Sequence, residues 1–237
     1  MVAVDEHAAL LDSLQGGLIV SCQAPPDDPL SGPDIMARMA ASVVAGGARG
    51  VRVNGPTDCA AVRAAVHAPL IGLWKDGSDG VYITPTPRHA VAILEAGADV
   101  VAVDGTGRHR PEGATLAQIV AAVHARGGLA MADIATAAEA AFAVDAGADL
   151  VATTLAGYTD PAATADEPDL ALVGQLAASL PVPVLAEGRI ATPDDAQRAL
   201  ALGAFAVCVG TAITRPQAIA ARFAGALIAP PEPEGNP

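Results

Sequence analysis

Eight short runs of β-branched and other apolar residues recur along the chain, and alanine-rich segments with helical spacing separate them. A strand followed by a helix, repeated eight times in one chain, is the arrangement of a (β/α)8 barrel, in which parallel strands close into a ring inside a shell of helices. The pattern therefore predicts a single α/β barrel of the TIM type. The predicted strands are residues 17–22, 50–54, 70–75, 100–105, 129–134, 150–155, 182–188 and 206–211.

Length and composition agree with one barrel. The chain has 237 residues, which is close to what a single barrel of this kind uses. Hydrophobic residues make up 52% of the chain and aromatic residues only 3%, so the core must consist mainly of Ala, Val, Leu and Ile. We predict one barrel domain over residues 1–228 and a loose, proline-rich tail over residues 229–237.

The charge of the chain limits its partners. A formal net charge of -13 argues against a nucleic-acid partner, because such binding depends on clustered basic residues. The same charge would repel a phosphorylated ligand at long range, so a phosphate site would have to be local, built from backbone N–H groups and one or two arginines. The N-terminal segment is acidic and no apolar stretch is long enough to cross a bilayer. We therefore expect a cytoplasmic protein with no membrane partner.

The cysteines do not indicate a metal site or a disulfide framework. Cys22, Cys59 and Cys208 are odd in number and far apart, without a Cys-x-x-Cys pair or suitably spaced histidines. We expect them to be buried thiols. No two of the acidic residues discussed below stand beside suitably spaced histidines either, so we predict no metal site.

Polar residues gather at the carboxyl ends of the predicted strands, whereas the strand starts are apolar or small. In a barrel, the catalytic face forms where each strand runs into its following loop. A pattern that served stability alone would not favour one end, so this asymmetry indicates a site. The residues concerned are Gln23, Arg52, Asn54, Lys75, Asp104, Asp133, Thr153, Thr154, Glu187, Gly210 and Thr211.

Lys75 and Glu187 are the candidate catalytic pair. Lys75 follows an apolar run, so we expect desolvation and the nearby Arg52 to lower its pKa and make its amine a usable base. Glu187 ends the seventh strand, which lies diametrically opposite the third strand in an eight-stranded barrel. Two groups on opposite sides of a ligand can take a proton from a carbon and return one to its other face, which inversion requires. Alternatively, Glu187 forms an ion pair with Arg189 or Arg215.

Two further strand-end carboxylates, Asp133 and Asp104, could orient Lys75, hold sugar hydroxyls or bond barrel loops. Asp133 is the better ligand candidate, whereas a purely structural role fits Asp104 equally well.

A phosphate site is predicted at the ends of strands seven and eight. Gly188, Gly210 and Thr211 stand where barrels often expose backbone N–H groups to a phosphate. Arg215 follows closely, and its guanidinium can neutralise a dianion through a forked contact.

Several motifs, taken in order, resemble those of the N-acetylmannosamine-6-phosphate 2-epimerases. They are IVSCQA, GVRVNG, VYITPT, VDGTGRHRP, MADI, TTLAGYT, PVLAEGRI and VGTAITRP, and the similarity extends from about Gly17 to Phe223. The resemblance implies a barrel enzyme that interconverts N-acetylmannosamine 6-phosphate and N-acetylglucosamine 6-phosphate without a cofactor, usually in sialic-acid or amino-sugar breakdown. It implies that Lys75 and Glu187 are the acid/base pair. It also implies that Gln23, Arg52 and Asp133 contact the sugar, and that Gly188, Gly210, Thr211 and Arg215 bind the phosphate.

One segment departs from the family pattern. After the lysine the family tends to carry another basic residue and a tyrosine, whereas this chain has the sequence DGSDG at positions 76–80. The departure bears on loop closure and sugar preference, but not on Lys75 itself.

Two other functions are compatible with some of these residues. A barrel lysine can form an imine with a carbonyl, as in a Schiff-base aldolase, which borohydride trapping would detect. A non-catalytic phosphosugar sensor would keep Arg215 and the glycines but lose the acid/base pair, both members of which are present here. Exposed alanine-rich helices would also allow self-association into a homodimer.

Overall fold

Eight parallel strands close into a barrel in chain order in the computed structural model, which describes residues 2–78, 80–159 and 167–228. The first strand pairs with both the second and the eighth, which completes the ring. The predicted (β/α)8 fold is therefore confirmed. The strands are β1 (Leu18–Cys22), β2 (Gly50–Asn54), β3 (Leu70–Leu73), β4 (Val100–Asp104), β5 (Leu129–Asp133), β6 (Leu150–Ala152), β7 (Val184–Glu187) and β8 (Ala206–Val209).

Six of the eight predicted strands end one to three residues earlier than expected, and the differences at β6 and β3 bear on the site. β6 was predicted to reach residue 155, but the backbone turns into a single 3-10 turn over Thr153–Leu155. β3 was predicted to include Lys75, but it ends at Leu73, and Lys75 instead forms an isolated antiparallel bridge with Ile83. In both places the chain leaves the barrel wall early and brings polar side chains to its mouth.

The helices surround the barrel, and several begin at the residues that favour helix starts. Thr115, Thr136 and Thr192 each accept a hydrogen bond from the N–H three residues later, and the side chain at that position bonds back, which forms a capping box. The helices are α1 (Val2–Leu14), α2 (Pro33–Ala45), α3 (Pro56–Ala65), α4 (Pro87–Glu95), α5 (Leu116–His124), α6 (Ala137–Asp145), α7 (Leu170–Ser179), α8 (Pro193–Ala201), α9 (Thr211–Thr214) and α10 (Pro216–Ile228).

Helix α1, which precedes the first strand, was not predicted. Its last residue, Leu14, is fully buried and packs in one cluster with Ile19 of β1 and Leu129 of β5, and Leu10 and Leu11 pack against the same cluster. The helix thus closes the end of the barrel where the strands begin. The open mouth is the opposite end.

The strands are buried on both faces, as parallel strands under a shell of helices must be. Alternate residues point inward and outward, so Ile19 and Ile71 belong to the cluster inside the barrel, whereas Val20 and Val51 pack beneath the helices. Large rings are nearly absent from this core, as the composition required. All three cysteines are buried and free, and burial raises the pKa of both Cys22 and Cys59 to about 12.

Within the described ranges, no helix has the length and apolar character needed to span a membrane. The predicted tail, residues 229–237, lies outside the described residues.

Candidate active site

A pocket of about 530 Å³ opens where the strands end, and a volume of this size is typical of small-ligand sites. Eight of the nine predicted site residues line it: Gln23, Arg52, Lys75, Glu187, Gly188, Gly210, Thr211 and Arg215. The ninth, Asp133, is fully buried and contacts Arg52 from beneath the pocket. The structure therefore brings the predicted residues into one place.

Arg52 is the centre of the site. Its side chain, 2% exposed, extends from β2 and forms ion pairs with Asp133 at the end of β5 and Glu187 at the end of β7. The nitrogen Nη1 bonds Glu187 and also donates to Thr154 Oγ1 at 3.0 Å, while Nη2 donates to Asp133. Because one planar guanidinium is held by the ends of β5 and β7 and by the turn after β6, its orientation is fixed before any ligand arrives.

The 3-10 turn after β6 supports this cluster through two adjacent threonines. Thr154 Oγ1 donates to Asp133 Oδ1 at 2.7 Å, so the carboxylate that holds Arg52 is itself held. Thr153 Oγ1 donates to the backbone carbonyl of Glu187 at 2.9 Å and accepts from the Glu187 N–H at 3.1 Å. The early end of β6 therefore orients residues of β5 and β7.

The environment raises the pKa values of both Asp133 and Arg52, but for different reasons. The pKa of Asp133 is raised to about 6, because burial and the charge of Glu187 together outweigh the opposing effects of Arg52 and the Thr154 hydroxyl. Burial alone would lower the pKa of Arg52, but the carboxylates of Asp133 and Glu187 raise it overall. Arg52 therefore remains charged.

Lys75 has the lowered pKa that its sequence context predicted. Desolvation is the largest cause, although Lys75 is partly exposed to solvent, and the charge of Arg52 is the second. Asp133 and Glu187 act in the opposite direction without reversing the shift. The backbone of Lys75 is anchored as well, since its N–H donates to Asn54 Oδ1 at 2.8 Å. A neutral amine is thus available at a lower pH than for an ordinary lysine.

Lys75 and Glu187 approach the pocket from opposite walls. The strand order places β3 and β7 four strands apart in a ring of eight, which is the largest separation the ring allows. Glu187 forms its ion pair with Arg52. The alternative hypothesis of an ion pair with Arg189 or Arg215 is therefore not supported among the described residues. Arg189 instead donates to the backbone carbonyls of Ala156 and Glu167.

The predicted phosphate-binding residues lie together at the ends of β7 and β8. Gly188 has a φ of 103°, which a residue with a side chain rarely adopts. At Gly210, a Cβ atom would come within 3.3 Å of Ser21 Cβ, so glycine allows β8 to approach β1 closely. Arg215 follows helix α9, and its Nε lies 3.4 Å from Asp28 Oδ2, a carboxylate of the loop after β1.

Gln23 presents a polar atom to the pocket. Its side-chain nitrogen donates to Ser21 Oγ at 2.8 Å, whereas its buried oxygen Oε1 has no hydrogen-bond partner within the described part of the chain. A buried acceptor without a partner is costly, and a ligand donor would satisfy it.

Asp104 forms structural contacts within its own loop, which was one of the two roles considered for it. Its oxygen Oδ1 accepts from the backbone N–H and the hydroxyl of Thr106, and Oδ2 pairs with Arg108. The carboxylate therefore stabilises the loop after β4.

The pocket is also lined by residues that were not predicted as site residues, among them Tyr158, Arg189, Arg222 and Cys208. Tyr158 lies on the loop after β6, and the Arg189 guanidinium stands 4.8 Å from the centre of its ring. Arg222 reaches the pocket from α10. The AGYT and EGRI motifs contained a signal for the first two, but nothing in the local sequence of α10 marked Arg222.

No group of three or more His, Cys, Asp or Glu side chains in the described residues could hold a metal ion. Cofactor independence stays a prediction.

Comparison with known proteins finds similarity along nearly the whole chain. The family model described as "Putative N-acetylmannosamine-6-phosphate epimerase" matches residues 36–229. A protein from Cutibacterium acnes is 49% identical over 221 residues, which cover 92% of this chain and 96% of the relative. One from Thermosynechococcus vestitus is 50% identical over 208 residues, covering 86% and 90%. Both relatives are named "Putative N-acetylmannosamine-6-phosphate 2-epimerase".

A solved structure has the same fold at close sequence distance. It is that of the N-acetylmannosamine-6-phosphate 2-epimerase from Clostridium perfringens, which is 42% identical, with a TM-score of 0.89. The match covers 92% of this chain and 96% of that one. Sequence and architecture are thus shared over the barrel and its open mouth.

Proposed function

Because this chain belongs to the N-acetylmannosamine-6-phosphate 2-epimerase family, whose members are isomerases, we propose that it interconverts N-acetylmannosamine 6-phosphate and N-acetylglucosamine 6-phosphate by proton transfer at C2. The observation that carries this proposal is the placement of Lys75 and Glu187 on opposite walls of one pocket, with Arg52 paired to Glu187. The two sugars differ only in configuration at C2, so a proton must leave one face of that carbon and arrive on the other.

The proposed reaction begins with opening of the sugar ring to the aldehyde, which makes the hydrogen on C2 acidic. Either Lys75 or Glu187 removes this proton, and the electron pair of the C–H bond moves into an enolate whose negative charge rests on the C1 oxygen. The opposing group then gives a proton to the other face of C2. No electrons are gained or lost overall, so the steps need no redox cofactor.

Arg52 is proposed to stabilise the enolate. Its guanidinium is buried, permanently charged and held by Asp133, Glu187 and Thr154, so it would not need to reorganise as negative charge develops. Asp133 supports this role because it fixes Arg52 from below the pocket. Gln23 is proposed to contact the sugar, since its Oε1 atom is an unsatisfied acceptor in the pocket wall.

The phosphate is proposed to bind where β7 and β8 end. Gly188, Gly210 and Thr211 line the pocket there, and Arg215 adds a positive charge. This arrangement fits the acidic surface of the chain, because the attraction for a dianion is confined to one end of the barrel. The N-acetylhexosamine part of the substrate is named by the family alone.

An NMR assay tests the proposal. The protein is dialysed against a chelator and incubated with N-acetylmannosamine 6-phosphate without any added cofactor. We expect signals of N-acetylglucosamine 6-phosphate to grow until equilibrium. Absence of conversion, or conversion that requires an added nucleotide or metal ion, would contradict the proposal.

The phosphate site has its own test. Arg215→Gln should raise KM for the phosphorylated sugar about tenfold or more, as expected for loss of a charge-assisted contact. Arg38 on α2 provides a control, since Arg38→Gln changes charge equally and should leave KM unchanged. An equal effect of both variants would assign the change to net charge instead of the site.

The oligomeric state and location stay predictions. Phe223 and Leu227 on α10 are highly exposed in a single chain, and we propose that a second copy covers them in a homodimer. Sedimentation velocity should give a dimer for the natural protein and a monomer for a Phe223→Glu, Leu227→Glu variant. A monomeric natural protein would contradict this. We also keep a cytoplasmic location as a prediction.

A further inference from the structure

The imidazole of His89 is buried behind the segment that carries Lys75, and the proposed reaction gives it no role. His89 lies in the first turn of α4 and is 2% exposed. Its Nδ1 is 2.7 Å from Thr86 Oγ1, and its Nε2 is 2.9 Å from Asp76 Oδ2. Asp76 follows Lys75 directly in the chain, so the three side chains connect a helix start to the neighbour of the proposed catalytic lysine.

The backbone on which Lys75 stands is a short antiparallel hairpin. The Asp76 N–H donates to the Tyr82 carbonyl at 2.9 Å, and the Thr84 N–H donates to the Trp74 carbonyl at 2.7 Å. Thr84 is anchored in turn, because its hydroxyl donates to the Ala102 carbonyl of β4 at 2.6 Å. The base of the hairpin is therefore fixed to the barrel wall.

The segment that follows Asp76 contains two glycines, Gly77 and Gly80. Gly77 and Gly80 both have positive φ, at 92° and 61°, and glycine gives the backbone a wide range of conformations. Asp76 is 57% exposed, so neither burial nor packing holds its carboxylate. The bond from His89 ties the Asp76 carboxylate to the helix layer.

The orientation of the His89 ring is set by its neighbours. The Trp74 ring meets it edge to face with centroids 4.7 Å apart. In one neutral tautomer, Nε2–H donates to Asp76 and Nδ1 accepts the Thr86 hydroxyl, while a charged ring would donate to both. Either form keeps Nε2 as the donor to the Asp76 carboxylate.

We infer that Thr86, His89 and Asp76 form a positioning relay for Lys75. In extended backbone, successive side chains point to opposite faces, so holding Asp76 against α4 turns the amine of Lys75 toward the pocket. The relay also keeps the Asp76 carboxylate from folding back and pairing with that amine. None of the three residues lines the pocket, so the relay acts through the hairpin and not through substrate. This inference rests on the proposed role of Lys75.

Three substitutions at His89 separate the two hydrogen bonds from ring packing. The amide nitrogen of Gln lies near the position of Nε2, so His89→Gln keeps the bond to Asp76. The amide of Asn lies near Nδ1, so His89→Asn keeps the bond to Thr86 alone. His89→Phe keeps the ring against Trp74 and loses both bonds. A matched control is His124→Phe, because His124 Nε2 bonds Asp149 Oδ2 at 2.8 Å at the other end of the barrel.

The expected results follow from misplacement of Lys75. His89→Asn and His89→Phe should lower kcat roughly tenfold with KM changed less than about twofold, because chemistry is sensitive to small displacements while binding residues are untouched. His89→Gln and His124→Phe should keep kcat close to that of the natural protein. Equal losses in Gln, Asn and Phe variants, or normal kcat in Asn and Phe variants, would overturn the relay.

A second readout needs no turnover. Amide hydrogen exchange at Asp76, measured without substrate, should be faster in the Asn and Phe variants than in the Gln variant and the natural protein. If the natural protein shows no epimerase activity, or if a Lys75→Met variant keeps it, the proposed function fails and the exchange rates still decide whether His89 holds the hairpin. Identical exchange in all four proteins would show that it does not.

Discussion

At the ends where the strands begin, Asp99 and Asp149 each accept a backbone N–H of a neighbouring strand, whereas at the opposite ends Asp133 and Glu187 both pair with the buried Arg52. Asp99 and Asp149 make the same kind of hydrogen bond at two places in the barrel. Asp99 accepts from Leu70 at 2.8 Å, and Asp149 accepts from Ala130 at 2.7 Å. Both aspartates end an AGAD sequence, so the same short motif supplies the same hydrogen bond to a neighbouring strand twice.

The second pair converges from distant parts of the chain. Arg52 and Glu187 are 135 residues apart in sequence, and Arg52 and Asp133 are 81 apart. Such a cluster is costly to bury and is not needed to join adjacent strands. The repeated carboxylates therefore satisfy neighbouring strands locally, whereas the convergent carboxylates gather around Arg52 at the candidate site.

Concavity alone would not have distinguished the two ends. A groove of about 370 Å³ lies at the strand starts, lined by residues such as Gln15, Val182 and Phe205, and none of its lining residues is charged. The pocket at the other end contains lysine, arginine and glutamate together. Charge convergence therefore identifies the site better than cavity shape does.

The largest expected effect that separates the two ends is loss of the proposed acid/base pair. Lys75→Met and Glu187→Gln should each lower kcat by about a thousandfold, because general acid–base groups contribute on this scale. Circular dichroism should show a folded barrel in both cases. Near-normal turnover in both variants would refute their roles.

A smaller but still large effect is expected at Arg52. A lysine in its place keeps the charge but cannot present a fork to both Asp133 and Glu187, so Arg52→Lys should lower kcat by about a hundredfold. Steady-state kinetics at saturating substrate measure this. If kcat changes by less than a few fold, the convergent cluster is not what stabilises the transition state.

Asp133 predicts an acid limit on the rate. Its pKa is raised to about 6, so below that pH its carboxylate gains a proton and Arg52 loses a negative partner. The folded protein holds this proton more tightly than the unfolded chain, so this group stabilises the fold as pH falls from about 6 toward about 4. Because this pKa belongs to the ligand-free protein, we expect kcat/KM to fall by up to about tenfold per pH unit below pH 6, with the barrel still folded.

Parallel pH–rate and pH–unfolding curves test this limit. The Asp133→Asn variant, whose side chain does not titrate, should lack the acid limb. An acid limb of the same position in that variant would assign it to another group.

The smallest effect is expected at the strand starts. Asp149→Ala removes the acceptor of the Ala130 N–H, and an unpaired backbone group costs about 1 to 3 kcal/mol of unfolding free energy. The kcat per folded molecule should not change. Urea unfolding measures the free energy of unfolding, and steady-state kinetics measure kcat. A lower kcat without a lower stability would contradict a purely structural role for the strand starts.

Much of this molecule was predictable from its sequence. The family membership indicated by the motifs is confirmed, and so is the barrel, because each strand has its own local apolar signal. The predicted site residues lie around one pocket because the strand ends of a barrel converge at one face whatever the loops do. The lowered pKa of Lys75 followed from its apolar run and from Arg52 on the adjacent strand.

The rest depends on three-dimensional contacts that no local pattern encodes. The partner of Glu187 is Arg52 across the barrel and not the nearby Arg189, because a left-handed backbone at Arg189 turns its side chain toward Ala156. Helix α1 was not predicted because its apolar residues are recognisable as a buried face only once they pack against the end of the barrel where the strands begin. The bond from His89 to Asp76 joins a helix to a hairpin whose path the sequence does not specify.

Reaction in deuterium oxide tests most directly whether the convergent end of the barrel transfers a proton at C2. N-acetylmannosamine 6-phosphate is incubated with the protein in this solvent, and the C2 position of the product is observed by NMR. The account predicts N-acetylglucosamine 6-phosphate carrying deuterium at C2. Product that retains only its original hydrogen at C2 would contradict proton exchange through Lys75 and Glu187.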